Sequence, residues 1–337
     1  VTSDKPGDSA ASGRRSAGAS PPGRKAKRRH AIVFAGPTAS GKSAAALAAA
    51  KAFGGVVINA DSMQVYRELA ILSARPDAAA MAAAPHKLYG IISARESCSA
   101  ARWREMALAE IDTALAAGKL PILAGGTGLY IEALAKGLAP VPEIPPAVRA
   151  EARRLAAEEG AASFHARLAR IDPAAAAALR PSDRQRLVRA WEVMTATGKP
   201  LGEWQRAAPG AADAPALTTF LFLPPRETLY AACDRRFEAM IEAGAIDEVK
   251  ALLALKLDPD LPAMKAVGVR EIAAYLRDEI DQARMIALGR QATRRYAKRQ
   301  YTWFRHRLPG ARVYDEQYSE RLNRDIFTKI RESRLTL

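Results

Sequence analysis

The stretch His30-Ala31-Ile32-Val33-Phe34-Ala35-Gly36-Pro37-Thr38-Ala39-Ser40-Gly41-Lys42-Ser43 decides the fold of this chain. Its first part is a short apolar run that stops at a glycine, which reads as a buried strand over residues 31–35. Gly36 to Ser43 fits G-x-x-x-x-G-K-[ST], and the alanine-rich run 43–53 that follows has helical character. A strand, a glycine-bounded turn and a helix in immediate succession are the setting in which this motif binds phosphate. Backbone N–H groups of the turn and the positive helix end cradle a diphosphate, Lys42 adds a point charge, and the Ser43 hydroxyl is suited to ligate Mg²⁺. Gly36, Pro37, Thr38, Ala39, Ser40, Gly41, Lys42 and Ser43 are therefore the expected diphosphate-binding residues. The pattern specifies phosphate and leaves the reaction open.

Working outward, residues 55–60 read as a second strand, 120–124 as a third, and 217–223 (LTTFLFL) as a return strand. Apolar strands separated by helical stretches predict an α/β fold of the P-loop NTPase-like kind, a parallel sheet with helices on both faces. Between the third and return strands the chain turns proline-rich (Pro140, Pro142, Pro145, Pro146), then reads as helices over 147–206 and ends in a Pro/Gly/Ala linker over 207–216. The expected division is a basic tail over 1–29, a first part of the core over 30–137, a helical insertion domain over 138–209, and the return strand with basic C-terminal helices over 210–337. The tail lacks apolar periodicity and is expected to be disordered; a transit peptide is the sharper alternative, against which Asp4, Asp8 and the want of an apolar signal core speak.

Composition narrows the function class. The 337 residues hold 51 Lys and Arg against 36 Asp and Glu, a net charge of +15. Residues 1–29 account for +6 and residues 284–307, which contain no acid, for +8. A basic excess so confined points to a localised polyanion partner. The two cysteines, Cys98 and Cys233, and four scattered histidines offer no zinc or disulfide pattern. The nearest approach to a membrane span, residues 43–60, is broken by Lys51, Gly54 and Gly55.

The third strand runs into Gly125-Gly126-Thr127-Gly128 where an ordinary P-loop ATPase would place a Mg²⁺-holding acid. The acid at a strand end is Asp61. At the carboxyl ends of parallel strands it suits a base, an outer partner of a metal ion, or a turn cap. Thr127 suits catalysis or a helix N-cap. In the basic segment Arg290, Arg294 and Lys298 recur at helical spacing, with Arg295 and Arg299 beside them and Tyr296, Tyr301, Trp303 and Phe304 interleaved. RNA contact is set here against a solvated face backed by core aromatics.

The blocks GPTASGKS (36–43), NADSMQVY (59–66), APHKLYG (84–90), GGTGLY (125–130), QRLVRAWEV (185–193), KAVGVRE (265–271) and AKRQYTWFR (297–305) together resemble the tRNA dimethylallyltransferase, or tRNA isopentenyltransferase, family over about residues 30–307. The resemblance implies transfer of a dimethylallyl group from dimethylallyl diphosphate to N6 of the adenosine 3′ of the tRNA anticodon, with Mg²⁺ as cofactor. That chemistry calls for a base to take the proton of the weakly nucleophilic amine, for which Asp61 is the choice, and for donors to the leaving diphosphate, a role given to Lys42, the loop amides, Ser43 with Mg²⁺ and Thr127. The resemblance adds Arg226 as a further diphosphate ligand. Contacts to the tRNA anticodon stem-loop are implied at Asp61, Ser62, Met63, Gln64, Thr127, Arg149, Gln185, Arg186, Leu187, Val188 and Arg189. They continue at Lys265, Ala266, Val267, Gly268, Val269 and Arg270, and at Lys298, Arg299, Gln300, Tyr301, Thr302, Trp303, Phe304 and Arg305. The chain departs from the family pattern at Leu72-Ser73-Ala74-Arg75-Pro76, where Gly-Thr-Ala-Lys-Pro is common, and at Arg184, where a proline is common.

Two other enzymes compete, a small-molecule P-loop kinase and a prenyltransferase acting on free adenine nucleotides. Neither needs the acid-free basic segment. A pure RNA-binding module leaves the phosphate loop without a purpose. The expectation is a cytoplasmic, monomeric enzyme with no membrane association.

Overall fold

The computed structural model describes Val1, residues 29–207 and residues 213–335. The first part runs β1 (His30–Ala35), α1 (Lys42–Phe53), β2 (Gly55–Asn59), α2 (Ala78–Ala83), β3 (His86–Lys87), α3 (Ala100–Ala116), β4 (Leu120–Gly125) and α4 (Gly128–Lys136). Five helices follow: α5 (Pro146–Glu158), α6 (Gly160–Ile171), α7 (Pro173–Ala178), α8 (Arg184–Thr197) and α9 (Leu201–Arg206). The chain then returns through β5 (Ala216–Phe222), α10 (Arg226–Glu242), α11 (Ala245–Ala254), α12 (Val269–Leu276), α13 (Gln282–Arg307), β6 (Arg312–Tyr314) and α14 (Asn323–Leu335).

The six strands form one sheet in the order β3-β2-β4-β1-β5-β6, parallel throughout. Every residue of β1, β2 and β4 is buried, as a sheet covered on both faces requires. One face packs Val33, Ile58 and Leu123 under α3 and α4; the other packs Phe34, Ile122, Phe220 and Phe222 under α1 and α14. The strands expected at 31–35, 55–60, 120–124 and 217–223 are present with ends shifted by a residue or so. The strand read as third is the fourth in chain order, because β3 precedes it. Both edge strands were illegible: β3 has two residues and β6 three, mostly exposed, too short to show a period.

Helices α5, α6, α7 and α8 bury Leu155, Phe164, Leu168, Leu187 and Trp191 against one another, a core separate from that of the sheet. The tail reading falls outside the described residues except at Val1 and Arg29, and Arg29 is ion-paired to Asp112. The middle of the 207–216 linker also lies outside them. Among the described residues no helix is long and apolar enough to cross a membrane.

In a parallel sheet all loops leaving the carboxyl ends of the strands gather at one edge. Adjacent β2, β4, β1 and β5 therefore bring together the turns at Asp61, at Thr127, at Gly36–Gly41 and at Leu223–Pro225. Four segments scattered over almost 200 residues of sequence become one surface.

Candidate active site

The phosphate loop leaves β1 and enters α1 at Lys42, with Gly41 in the left-handed region (φ 88°). A Cβ on Gly41 would come within 2.8 Å of the Tyr318 Cβ, so glycine is required there by conformation and by a neighbour. That neighbour belongs to a C-terminal strap. The Tyr318 N–H donates to Ser40 O at 3.1 Å, and the Gln317 amide Nε2 donates to Ala39 O at 2.9 Å. Lys42 is buried, with Nζ donating to Pro37 O at 3.2 Å. Burial lowers its pKa to about 8; attraction from Asp61 opposes the shift and repulsion from Arg236 adds to it. Ser43 is exposed at the first turn of α1.

Asp61 follows β2 in a turn that its own strand end builds. Asn59 Oδ1 accepts the Asp61 N–H at 2.8 Å, Asn59 Nδ2 donates to Asp61 O at 2.9 Å, and the Met63 N–H donates to Asp61 Oδ1 at 3.0 Å. The buried Trp103 indole fixes the strand end by donating to Asn59 O at 2.8 Å. Asp61 thus does cap a turn, but with one oxygen: Oδ2 carries no hydrogen bond among the described residues. Thr127 occupies the N-cap position of α4 without a side-chain cap bond. Its Oγ1 instead accepts the Ser62 N–H at 2.9 Å and donates to Ser62 Oγ at 3.2 Å. The threonine therefore joins the β4 loop to the β2 loop beside Asp61, and the N-cap reading of its hydroxyl does not hold.

Asp61 and Thr38 line one cavity, along with Ser62, Met63, Arg236, Tyr296 and Arg299; Leu72, Phe237, Met240 and Ala266 supply its apolar wall. Arg236, half-buried on α10, has no ion-pair partner among the described residues. Burial lowers its pKa while Asp61 raises it. Burial, reinforced by Asp61, raises that of Tyr296. A carboxylate with one free oxygen, a buried lysine and a half-buried guanidinium thus converge beside a turn of backbone amides, next to apolar surface. This arrangement suits a phosphorylated ligand with a hydrocarbon part and a proton to be removed.

Sequence reasoning did not single out Arg236; the further arginine it names for the diphosphate is Arg226. Arg226 is exposed at the first turn of α10, with its guanidinium 5.6 Å from the Tyr301 ring centre, and does not line the cavity. Ten residues farther along the same α10–α13 contact, beside Thr293 and Tyr296, Arg236 lines the cavity. The strap was missed altogether, since it lies beyond the stretch that carries the motifs and has no motif of its own.

The remaining sites divide by helix face. Arg149, Gln185, Arg186, Arg270, Lys298, Thr302 and Arg305 are exposed. Met63, Lys265, Ala266 and Val267 border the cavity, with Lys265 also ion-paired to Asp260, and Arg189 is paired with Glu192. Gly268 caps α12 and Val188 packs on the α5–α8 core. Leu187, Val269 and Phe304 are core residues, 0%, 2% and 1% exposed, and so meet no macromolecule in this arrangement. Gln64 spends its amide on Ser73 O and Ala74 O, and Gln300 is turned inward. Trp303 packs over Gly128.

The helical stripe needs a correction. Arg290 is ion-paired with Glu238, and Arg294 bonds Asp234 at 2.7 Å, both acids on α10. A segment without acids in sequence is not without them in space: two of the stripe's three members, Arg290 and Arg294, face a neighbouring helix, and Lys298 does not. The cations of α13 without an ion-pair partner among the described residues, and exposed, include Arg295, Lys298, Arg299 and Arg305. Arg299 lies over the Tyr296 ring at 5.6 Å.

A family model described as IPP transferase matches residues 64–307. Among curated proteins the chain is 55% identical to the tRNA dimethylallyltransferase of Paramagnetospirillum magneticum, over 91% of this chain and 97% of that one. It is 54% identical to the enzyme of the same description from Rhodospirillum centenum, over 85% and 92%. Among solved structures it is similar to the tRNA isopentenylpyrophosphate transferase of Bacillus halodurans, with TM-score 0.64 and 32% identity over 92% of this chain and 99% of that one. A eukaryotic dimethylallyltransferase acting on tRNA superposes with TM-score 0.69 at 26% identity, over 82% and 70%.

Proposed function

From the premise that the chain belongs to the IPP transferase family, we propose that it transfers a dimethylallyl group from dimethylallyl diphosphate to N6 of the adenosine 3′ of a tRNA anticodon. The observation that carries the mechanism is the shared cavity of Asp61, Thr38 and Arg236.

The exocyclic amine of adenine is a poor nucleophile, because its lone pair is conjugated with the ring. As N6 bonds to C1 of the dimethylallyl group, the C1–O bond breaks and its electron pair leaves with the diphosphate. Asp61 takes the N6 proton through its unengaged oxygen. Thr127 holds the Ser62 backbone beside that carboxylate and so fixes the base against the acceptor. The departing diphosphate gathers charge, which the loop amides, Lys42 and Arg236 stabilise from fixed positions. Lys42, whose Nζ donates to Pro37 O within the loop, is the side-chain cation placed to meet the leaving oxygens.

Mg²⁺ fits this donor set. Among the described residues no three His, Cys, Asp or Glu side chains form a metal cage, but Mg²⁺ characteristically takes one or two protein ligands and completes its shell with phosphates and water. Ser43, exposed at the loop's helix end, is the side chain to hold it, and when bound the ion neutralises diphosphate charge.

An adenosine stacked in an anticodon loop must be extruded to reach such a cavity. The exposed cations of α13 and those at Arg149, Arg186 and Lys265 offer the phosphate contacts that hold the stem-loop meanwhile. The deciding experiment incubates the protein with labelled dimethylallyl diphosphate and either bulk tRNA or AMP. Label in tRNA, recovered as the N6-prenylated nucleoside, supports the reading. Label in AMP alone overturns the choice of acceptor, and ATP-dependent phosphoryl transfer without prenylation overturns the reaction.

A further inference from the structure

Groups from outside the phosphate loop hold it at three successive residues: Gln300 at Thr38, Gln317 at Ala39 and the Tyr318 N–H at Ser40. Gln300 does more than anchor. Its Oε1 accepts the Thr38 N–H at 2.8 Å while Nε2 of the same amide donates to Gly126 O, also at 2.8 Å. One planar group therefore spans the loop after β1 and the loop after β4. The side chain is only 7% exposed, so water competes little for either bond. Gly126 is bare to admit it, since a Cβ there would lie 2.3 Å from Gln300 Nε2.

We propose that Gln300 is a positioning residue, a strut that sets the distance between the diphosphate cradle and the Thr127–Ser62–Asp61 chain. The proposal rests on the reaction proposed above. In-line transfer needs the leaving oxygen and the attacking nitrogen at opposite sides of one carbon, and a misplacement of roughly 1 Å can cost about a hundredfold in rate. The cradle is held at Thr38 and the base is held through Thr127, the residue after Gly126. The β1–β4 ladder ends at Ala35 and Gly125, and beyond it the strut ties those two holds together. It must donate at one end and accept at the other, which a primary amide does and a carboxylate or an alkyl chain does not. It also hangs from the inner side of the helix whose outer side carries Arg295, Lys298 and Arg305. RNA docking and the spacing of the active site therefore share one rigid element.

The test uses the full chain with Gln300→Leu, which removes both bonds at similar volume, and Gln300→Glu, which keeps the acceptor for Thr38 and loses the donor to Gly126. The readouts are the thermal midpoint, affinity for inorganic pyrophosphate, affinity for an anticodon stem-loop, and the single-turnover transfer rate with both substrates saturating. Gln300→Leu is expected to slow single turnover about 10- to 100-fold while stem-loop affinity stays within about threefold. Gln300→Glu should fall between it and the unaltered protein and keep more of the pyrophosphate affinity. A lowered midpoint with an unaltered single-turnover rate overturns the proposal in favour of simple packing. Lost stem-loop affinity with an unaltered rate at saturation overturns it in favour of direct RNA contact. If Gln300→Leu does not fold, Gln300→Glu carries the same two outcomes. If the unaltered protein itself fails to prenylate any tRNA, the reaction is wrong rather than the strut, and pyrophosphate binding decides. Weakening of about tenfold in Gln300→Leu and less in Gln300→Glu supports the strut; equal affinity in all three overturns it.

Discussion

Replacing Thr127 with valine removes a hydroxyl and keeps the branched shape, so the perturbation is confined to two hydrogen bonds. The Thr127 hydroxyl accepts the Ser62 N–H at 2.9 Å and donates to Ser62 Oγ at 3.2 Å, in a half-buried setting one residue from Asp61. Valine leaves the Ser62 N–H without its acceptor, at a cost of about 1–3 kcal/mol for a buried donor. If that cost falls on the geometry of the base, at about 1.36 kcal/mol per decade it slows transfer roughly 5- to 150-fold. A loss approaching about a thousandfold would mean that the hydroxyl also donates directly to the developing charge. Single-turnover transfer of labelled dimethylallyl to an anticodon stem-loop gives the rate, and thermal unfolding of the same preparation gives the stability. Thr127→Ser retains the hydroxyl and is expected within about threefold of the unaltered rate. A Thr127→Val protein that turns over normally but melts lower would refute the reasoning, leaving Thr127 a structural tie between two loops.

Asp61→Ala should abolish transfer with stem-loop affinity changed only a few-fold, because a base acts in the transition state more than in binding; parallel losses of both would make Asp61 chiefly an RNA contact. Arg295→Ala with Lys298→Ala should flatten the log–log salt dependence of stem-loop binding by somewhat under one unit per lost phosphate contact, whereas Arg294→Ala, which strands Asp234, should lower the thermal midpoint and leave the slope nearly unchanged. The opposite ranking in a salt series would place the RNA on the wrong face of α13. Burial lowers the Lys42 pKa from 10.5 to about 8, so across that window the unfolded chain binds a proton that the folded one does not, and stability should rise with pH there. Denaturant unfolding of the unaltered protein and of Lys42→Met from pH 7.5 to 10.5 measures that contribution as their difference, which should change with pH for the unaltered protein in the stated direction. A flat difference would mean that Lys42 keeps its ordinary pKa.

The sequence carried the elements that are locally dictated. Four apolar strands, the glycine turn and the helix after it follow from periodicity and from backbone conformations open mainly to glycine, so residues 30–53 could be read almost as folded. The position of Asp61 at a strand end was equally legible, because a parallel sheet sends every such end to the same edge. Its hydrogen bonds to Asn59 and Met63 were not, since a turn cap and a catalytic carboxylate look alike until the second oxygen is seen to be unengaged.

What tertiary structure alone decided is which residues a helix turns inward and what it meets there. Arg290 and Arg294 stand in an acid-free run, yet their partners Glu238 and Asp234 lie more than 50 residues away on α10. Arg236 borders the cavity and Arg226 does not because the cavity opens beside Thr293 and Tyr296 of α13, whereas Arg226 meets that helix farther along, at Tyr301. Gln300 sits among arginines and aromatics that resemble an RNA contact, but its amide reaches Thr38 and Gly126 beneath the helix. Gln317 holds the phosphate loop from a segment without a motif. A local pattern reports the conformation of a few neighbouring residues. The charge balance of a helix face, the partner of an amide and the wall of a cavity depend on which distant segment packs there, and that contact is written in no one stretch of the chain.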